Sequence, residues 1–280
     1  MPIGEPMHER QRSVDRVHAA AWSAAGEWTA WSKASAEASK LGDLWLHDEE
    51  TDIHEVLLEG VEAFCLSPSP SGRHLAHLSP GPLGLELGVS DIVSGELRII
   101  ERGQPLFWSW SPTSTELAVH VGNRVSIIGM DGSQPHPLTH DAGPFIAPSW
   151  LPGGSVVYAM DDAIVCRDIE GVMATLVADG SAGRFLSDPD GRRLAYIDVG
   201  AGEPRLMILD LVTSEVSQVT DSPVGCFLWS AAGELATLVP VGSDRVRWLV
   251  GDGPEAVALD PFRPGQAWSQ AILPFFEQFA

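Results

Sequence analysis

Short runs of alternating apolar and polar residues, separated by turns rich in Gly, Pro, Asp and Ser, recur along most of the chain. In the stretch SDPDGRRLAYID, residues 187–198, a tight polar turn precedes an alternating apolar run. Alternation with a period of two, bounded by turn residues, predicts β-strands of an antiparallel sheet. Six such turns are recognisable, and their first residues are Ser23, Ser69, Ser111, Leu151, Asp188 and Ser230.

The spacing of these turns is nearly constant. Successive turns are 46, 42, 40, 37 and 42 residues apart, and a period of about 40 residues is typical of four-stranded propeller blades. After the second strand, each unit holds a third apolar stretch and a short fourth strand, as in HEVLLEG from His54. A single four-stranded sheet cannot bury both of its faces, so we expect the sheets to stack face to face.

The pattern therefore predicts an all-β protein, a β-propeller of about six recognisable four-stranded blades. An N-terminal extension covers residues 1–18 and the repeats cover residues 19–262. We place the blades at residues 19–62, 63–105, 106–144, 145–182, 183–224 and 225–262. We expect the aromatic residues of the first strands to fill the layers between blades, and these are Trp22, Trp110, Trp150, Phe185 and Trp229.

The C-terminal tail, residues 263–280, breaks the repeat. Its apolar residues are spaced more like one face of a helix than like a strand, and they are Ala271, Ile272, Phe275, Phe276 and Phe279. Either six blades close the ring and the tail packs across it, or a seventh blade is missing or is supplied by another chain. We favour the incomplete seventh element, whose exposed Phe side chains would contact a partner.

The repeats resemble those of the TolB-type propellers, close relatives of the WD-repeat families. The resemblance is carried by a W-S-P-D-G-like turn and by a strand ending in Asp, as in SDPDGRRLAYID from Ser187, WSPTSTELAV from Trp110 and LMILDL from Leu206. It covers roughly residues 19–262 and implies a propeller fold. A prolyl oligopeptidase-type propeller without its hydrolase domain is a related interpretation. The resemblance implies no single activity, because propellers host unrelated functions.

The chain is strongly acidic, with 38 Asp and Glu against 17 Lys and Arg and a formal charge of −21. Such a field repels phosphate backbones, so we expect no nucleic-acid binding, and it would steer basic partners toward the protein. The polar start resembles no signal peptide, and no window reaches the roughly 18 apolar residues of a membrane helix. We therefore expect a cytoplasmic protein without membrane insertion.

Three cysteines lie far apart, each within an apolar run: Cys65, Cys166 and Cys226. An odd number of cysteines at such positions predicts small buried core residues, not a disulfide framework or a zinc site.

Histidines and acids offer candidate chemistry. The nine histidines are His8, His18, His47, His54, His74, His77, His120, His136 and His140. His74 and His77 are three residues apart and would point to opposite faces of a strand, so they cannot chelate one ion together. His136 and His140 would need ligands from other blades, and we expect surface or capping histidines. The acidic runs from Asp48 to Asp52 and from Asp161 to Asp162 lack the EF-hand pattern and are predicted to be turns.

No hydrolase elbow or phosphate-binding glycine loop is present, and we name no catalytic, cofactor-binding or metal-binding residue. The leading hypothesis is a non-catalytic scaffold that binds a protein or peptide through its inter-blade loops and axial mouth. The alternatives are a hydrolase or lyase with an axial, metal-assisted site, and a degenerate or truncated propeller with a structural role only. The inter-blade loops that we favour for binding begin at Leu58, Thr139, Asp179 and Thr220.

Overall fold

In this computed structural model, the described residues are 17–33, 42–82, 84–143, 146–161, 163–168, 170–178, 184–199, 204–230, 232–252 and 255–263. They form six four-stranded sheets, in each of which the strands follow one another in chain order. The chain divides into two compact units, Met1–Gly103 and Gln104–Ala280. Among the described residues, no helix is long and apolar enough to cross a membrane.

The first unit contains two antiparallel sheets. Sheet 1 consists of β1 (Val17–Trp22), β2 (Trp28–Lys33), β3 (Asp43–Asp48) and β4 (Ile53–Leu58). Sheet 2 consists of β5 (Phe64–Pro68), β6 (His74–Gly81), β7 (Gly84–Asp91) and β8 (Leu97–Gly103). Residues 1–16 of the predicted N-terminal extension lie outside the described residues.

The second unit contains four antiparallel sheets. Sheet 3 consists of β9 (Leu106–Trp110), β10 (Glu116–Val121), β11 (Arg124–Gly129) and β12 (His136–Thr139). Sheet 4 consists of β13 (Ser149–Trp150), β14 (Val156–Met160), β15 (Ala163–Arg167) and β16 (Met173–Val177). Sheet 5 consists of β17 (Phe185–Ser187), β18 (Arg193–Asp198), β19 (Arg205–Asp210) and β20 (Val216–Gln218). Sheet 6 consists of β21 (Cys226–Trp229), β22 (Leu235–Val241), β23 (Arg245–Val250) and β24 (Val257–Ala258).

The predicted all-β class and the blades of four strands are thus confirmed. At the end of the described chain, Phe262 pairs with Val246 beside β24, and Arg263 Nη2 lies 2.6 Å from Asp244 Oδ2. Residues 264–280, on which the predicted helical tail or seventh blade falls, lie outside the described residues.

Each repeat has the same turn between its first and second strands. In all six turns, the amide three residues after the first turn residue donates to that residue's carbonyl oxygen, at 2.9–3.0 Å. In five of them the first residue is Ser or Asp, and its side chain also accepts backbone amides at the start of the next strand. Leu151 has no such acceptor. This local hydrogen bonding explains why Ser and Asp recur at the turn.

Apolar layers lie between consecutive sheets within each unit. In the first unit, Trp28 and Leu44 of sheet 1 share a buried cluster with Leu75 of sheet 2, and Trp28 Nε1 donates to Gly72 O at 2.7 Å. In the second unit, similar clusters join sheets 3 and 4, sheets 4 and 5, and sheets 5 and 6. Burial of these apolar side chains is the main favourable contribution to folding.

Most of the predicted layer aromatics are at least partly buried. Trp110 and Phe185 are buried, while Trp150 and Trp229 are half-buried and donate indole hydrogen bonds to the preceding sheet. The prediction is wrong for Trp22, whose side chain is 67% exposed. Sheet 1 is the first sheet of its unit, so Trp22 has no preceding sheet in that unit to pack against.

Two histidines expected at the surface are instead buried. His120 on β10 is 1% exposed, and its ring nitrogens lie 2.9 and 3.1 Å from the carbonyl oxygens of Ile146 and Gly122. His77 on β6 is fully buried, and neither ring nitrogen reaches a hydrogen-bond partner among the described residues. Burial lowers the pKa of His77 to about 4. Both strands are covered on both faces, so consecutive residues are buried regardless of alternation, which the polarity of histidine concealed.

The burial of His77 predicts acid sensitivity. The unfolded chain protonates this residue below about pH 6.5, whereas the folded chain does so only near pH 4. The unfolded state thus binds more protons in this window, so stability contributed by neutral His77 is lost as the pH falls through it. We expect His77→Leu to remove up to about 3 kcal/mol of the decrease between pH 7 and pH 4. Urea unfolding of both proteins across this range measures the difference, and parallel pH profiles would contradict it.

The turn at Asp188 gives a second prediction. This carboxylate is 4% exposed and accepts the amides of Arg192 and Arg193, at 2.8 and 3.1 Å, and Arg193 Nε at 3.1 Å. Asp188→Ala leaves these donors unpaired, so we expect the free energy of unfolding to fall by about 2–3 kcal/mol. Asp188→Ser is the matched control, because Ser occupies this place in four other turns, and it should recover part of the loss. Equal urea midpoints for the Ala variant and the wild type would refute the capping role.

Candidate functional site

The hairpin of β3 and β4 in sheet 1 brings together the polar side chains of greatest chemical interest. On β3, Leu44 and Leu46 are buried in the layer toward sheet 2, so Trp45 and His47 lie on the opposite face. His47 is directly opposite His54 of β4. The alternation that builds the core therefore also places this pair of histidines on one face of the sheet.

Asp48 fixes the turn of this hairpin. Its Oδ1 atom accepts the amides of Glu50 and Thr51, at 3.0 and 2.7 Å, and the Thr51 hydroxyl at 2.8 Å. The hydrogen bond from the Thr51 amide is the main cause that lowers the pKa of Asp48. Asp52 closes the turn with a φ of 55°, in the left-handed region that Asp tolerates better than most residues. The acidic run therefore forms a turn, as predicted, and it also places the carboxylate of Asp52 beside the hairpin.

That carboxylate converges on the two histidines. Asp52 Oδ1 lies 3.1 Å from His47 Nε2 and 3.9 Å from His54 Nε2. The two imidazole rings stack with their centroids 4.2 Å apart. One ligand atom from each of the three side chains lies within 4.8 Å of the others. Among the residues that the structure describes, this is the group of His, Cys, Asp and Glu whose spacing suits a metal ion.

Neighbouring side chains hold the histidines in place. Glu49 Oε1 lies 3.4 Å from His47 Nδ1 and accepts the Thr29 hydroxyl at 2.8 Å. The rings of Trp31 and His54 meet edge to face, with their centroids 5.9 Å apart. The side chains of His47, His54 and Asp52 are 19%, 32% and 90% exposed, so the group is open to solvent.

Sequence analysis named these three residues without linking them. The signal was present, because His47 and His54 flank the acidic turn symmetrically in HDEETDIH. Symmetric flanking becomes cross-strand pairing only if the register is known, and in the structure the pairing of Asp48 with Ile53 sets that register. The other histidines discussed above behave differently: His74 and His77 lie on opposite faces of β6, and His136 and His140 are exposed.

The three cysteines are free thiols. The prediction of a buried core residue is wrong for Cys65, which is exposed. Its φ of 51° and the shift in register between Phe64 and Ser67 interrupt the alternation of β5 at this point. Cys166 and Cys226 are half-buried, and partial burial of the sulfur raises the pKa of all three thiols, Cys65 included. No thiol of the described residues therefore carries the features of an activated nucleophile.

Three of the four proposed inter-blade loops carry carboxylates and lack Lys and Arg, whereas the loop that begins at Asp179 contains Arg184. Glu59 and Glu62 follow β4, Asp141 follows β12 and Asp221 follows β20, and all four are exposed. The loops 59–63, 140–148 and 219–225 contain no Lys or Arg. The loop that begins at Asp179 lies largely outside the described residues.

Comparison with known proteins finds similarity in fold and no match in sequence. No protein-family model matches it, and no curated protein matches it in sequence. A solved prolyl endopeptidase superposes with a TM-score of 0.62 at 15% identity, over 85% of this chain and 42% of that one. A solved TolB structure from Agrobacterium tumefaciens superposes with a TM-score of 0.53 at 18% identity, over 78% of this chain and 87% of that one.

A third solved structure, the Cps50 β-propeller domain of Myceliophthora thermophila, gives a TM-score of 0.60 at 12% identity, over 88% of this chain and 85% of that one. This chain therefore spans less than half of the prolyl endopeptidase and most of the other two. Identities this low establish the fold and not the activity. The six sheets and these similarities together confirm the β-propeller fold that the resemblance to TolB-type and WD-repeat propellers implied.

Proposed function

We propose that this chain is a non-catalytic β-propeller that binds a basic protein or peptide through its inter-blade loops. One observation carries the proposal: the exposed carboxylates Glu59, Glu62, Asp141 and Asp221 lie in loops that contain no Lys or Arg. Loops on a rigid β-scaffold are common binding surfaces, because the scaffold fixes the loop ends and leaves the loop sequence free to vary.

The overall charge supports a basic partner. With 38 acidic and 17 basic residues, the protein attracts cations from a distance and accelerates their association. Several described arginines are already paired with carboxylates, such as Arg73 with Asp91 and Arg102 with Glu86. The acidic partners in these pairs, Asp91 and Glu86, both lie on β7, so the pairs leave the loop carboxylates available to a partner.

The enzymatic alternative has weaker support. A propeller hydrolase or lyase with an axial site needs polar groups from several blades directed at one point. The one group of described residues with metal-ligand spacing comes from a single hairpin. Solved structures of similar fold include an endopeptidase and a TolB, so the fold does not decide between catalysis and binding. All six described sheets keep four strands, which disfavours a degenerate propeller.

The proposal predicts salt-sensitive binding of a basic peptide. A fluorescein-labelled peptide of alternating Arg and Ser should raise its anisotropy on binding, and the affinity should fall steeply with added NaCl. An acidic peptide of the same length should not bind. Neutralising the four loop acids together should weaken binding about tenfold, because each exposed charge contributes a few tenths of a kcal/mol. The variant carries Glu59→Gln, Glu62→Gln, Asp141→Asn and Asp221→Asn.

A control with the same net charge separates loop binding from general attraction. It neutralises four exposed acids at the opposite ends of their sheets, which are Glu50, Glu96, Glu170 and Glu215. We expect this control to change the affinity less than twofold at 0.15 M salt, where fields of distant charges are largely screened. Equal loss in the two variants would show that the loops are not the binding surface.

A further inference from the structure

We propose that His47, Asp52 and His54 form a binding site for one divalent transition-metal ion of the zinc class. The proposal rests on the β3–β4 hairpin alone and is independent of the proposed peptide binding. Sequence analysis assigned no metal-binding residue, and these three side chains come together only through the pairing of two strands across the acidic turn.

The distances fit a tetrahedral ion. Ligand atoms about 2.0–2.1 Å from Zn²⁺ in a tetrahedron lie roughly 3.4 Å apart. The observed separations are 3.1 Å from Asp52 Oδ1 to His47 Nε2 and 3.9 Å from Asp52 Oδ1 to His54 Nε2, and the ligand atoms of the two histidines lie within 4.8 Å of each other. Rotation of the side chains would therefore bring the three ligand atoms to tetrahedral spacing, without movement of the backbone.

The ligand types select the kind of ion. Imidazole nitrogen suits Zn²⁺, Co²⁺, Ni²⁺ and Cu²⁺, whereas Ca²⁺ and Mg²⁺ prefer sites made only of oxygen ligands. Two imidazoles and one carboxylate leave at least one coordination position open. Because Asp52 is 90% exposed, solvent reaches the site, and water would complete the coordination shell.

The surroundings of His47 match those of metal-bound histidines. With Nε2 facing the ion, Nδ1 faces Glu49 Oε1 at 3.4 Å, and Glu49 accepts the Thr29 hydroxyl at 2.8 Å. A carboxylate on the far nitrogen of a ligating histidine fixes its tautomer and raises its basicity. Glu49 is thus a positioning residue, and Thr29 in turn orients Glu49.

Both histidines are also held before any ion arrives. The ring of Trp31 packs edge-on against His54, and the Asp48 carboxylate fixes the turn that carries Asp52. A site whose ligands are already oriented loses less conformational entropy on binding. The competing interpretation is a simple hydrogen bond from His47 to Asp52, which needs no ion, and the experiment below distinguishes the two.

Metal titration of the full-length, tag-free protein tests the proposal. Zn²⁺ is added in competition with a chromophoric chelator, and Co²⁺ absorption between 500 and 650 nm reports tetrahedral coordination. We expect one Zn²⁺ equivalent that His54→Gln and Asp52→Asn each weaken by at least about a hundredfold. Glu49→Gln should weaken it by about tenfold, as expected for a residue that acts through a ligand.

Asp161→Asn is the matched control. Asp161 is exposed and has a φ of 50°, so this substitution makes the same chemical change in the same backbone conformation elsewhere. Asn tolerates the left-handed region at least as well as Asp, so Asp52→Asn should keep the wild-type urea midpoint. Unchanged Zn²⁺ affinity in His54→Gln, or an equal loss in Asp161→Asn, would overturn the site in favour of the simple hydrogen bond.

Discussion

Both faces of each four-stranded sheet must be covered, and this constraint determines where the charged side chains of this protein can lie. Strand β14 shows this most clearly, because Val156 and Tyr158 pack toward sheet 3 whereas Val157 and Ala159 pack toward sheet 5. On β18, likewise, alternate residues enter different apolar layers. A strand covered on both faces leaves little room for charged groups, and the polar side chains that are buried on such strands, among them His77 and His120, are uncharged in that environment or bonded to backbone carbonyls.

The turns add directed interactions to this non-directional packing. Arg193 begins β18 and contacts the Asp188 carboxylate, donates to Gly233 O at 2.6 Å and lies over the ring of Trp229 at 4.6 Å. It therefore joins the turn of sheet 5 to sheet 6. Because the guanidinium has five fixed donors and a flat face, it satisfies a cap, a carbonyl and an aromatic ring together. Polar contacts of this kind set the register that apolar packing alone leaves less defined.

Sequence sufficed for the features that depend on neighbouring residues. The six turns begin at the predicted residues, and in five of them a Ser or Asp that accepts nearby amides leaves a local signature. Features that depend on distant partners were missed. Trp22 occupies the same place in its repeat as Trp150, directly before the turn, but lacks a preceding sheet in its unit. His77 is buried beside the backbone of Gly88, and His47 meets His54 only in the observed register. No local pattern reports these pairings.

The proposed metal site and the loop with Glu59 and Glu62 lie at opposite ends of sheet 1, which keeps metal binding separable from binding at that loop. Strand β4 runs from the turn with Asp52 to the loop with Glu59. Its six residues span about 20 Å at roughly 3.3 Å per residue. That distance is about twice the screening length at physiological ionic strength, so a bound cation at the hairpin would change the field at the loop only weakly. Metal binding and peptide binding should therefore be thermodynamically independent. Coupling would require a structural element with two states that both ligands favour differently. Strand β4 is not such an element, because its antiparallel ladder to β3 fixes it in one arrangement.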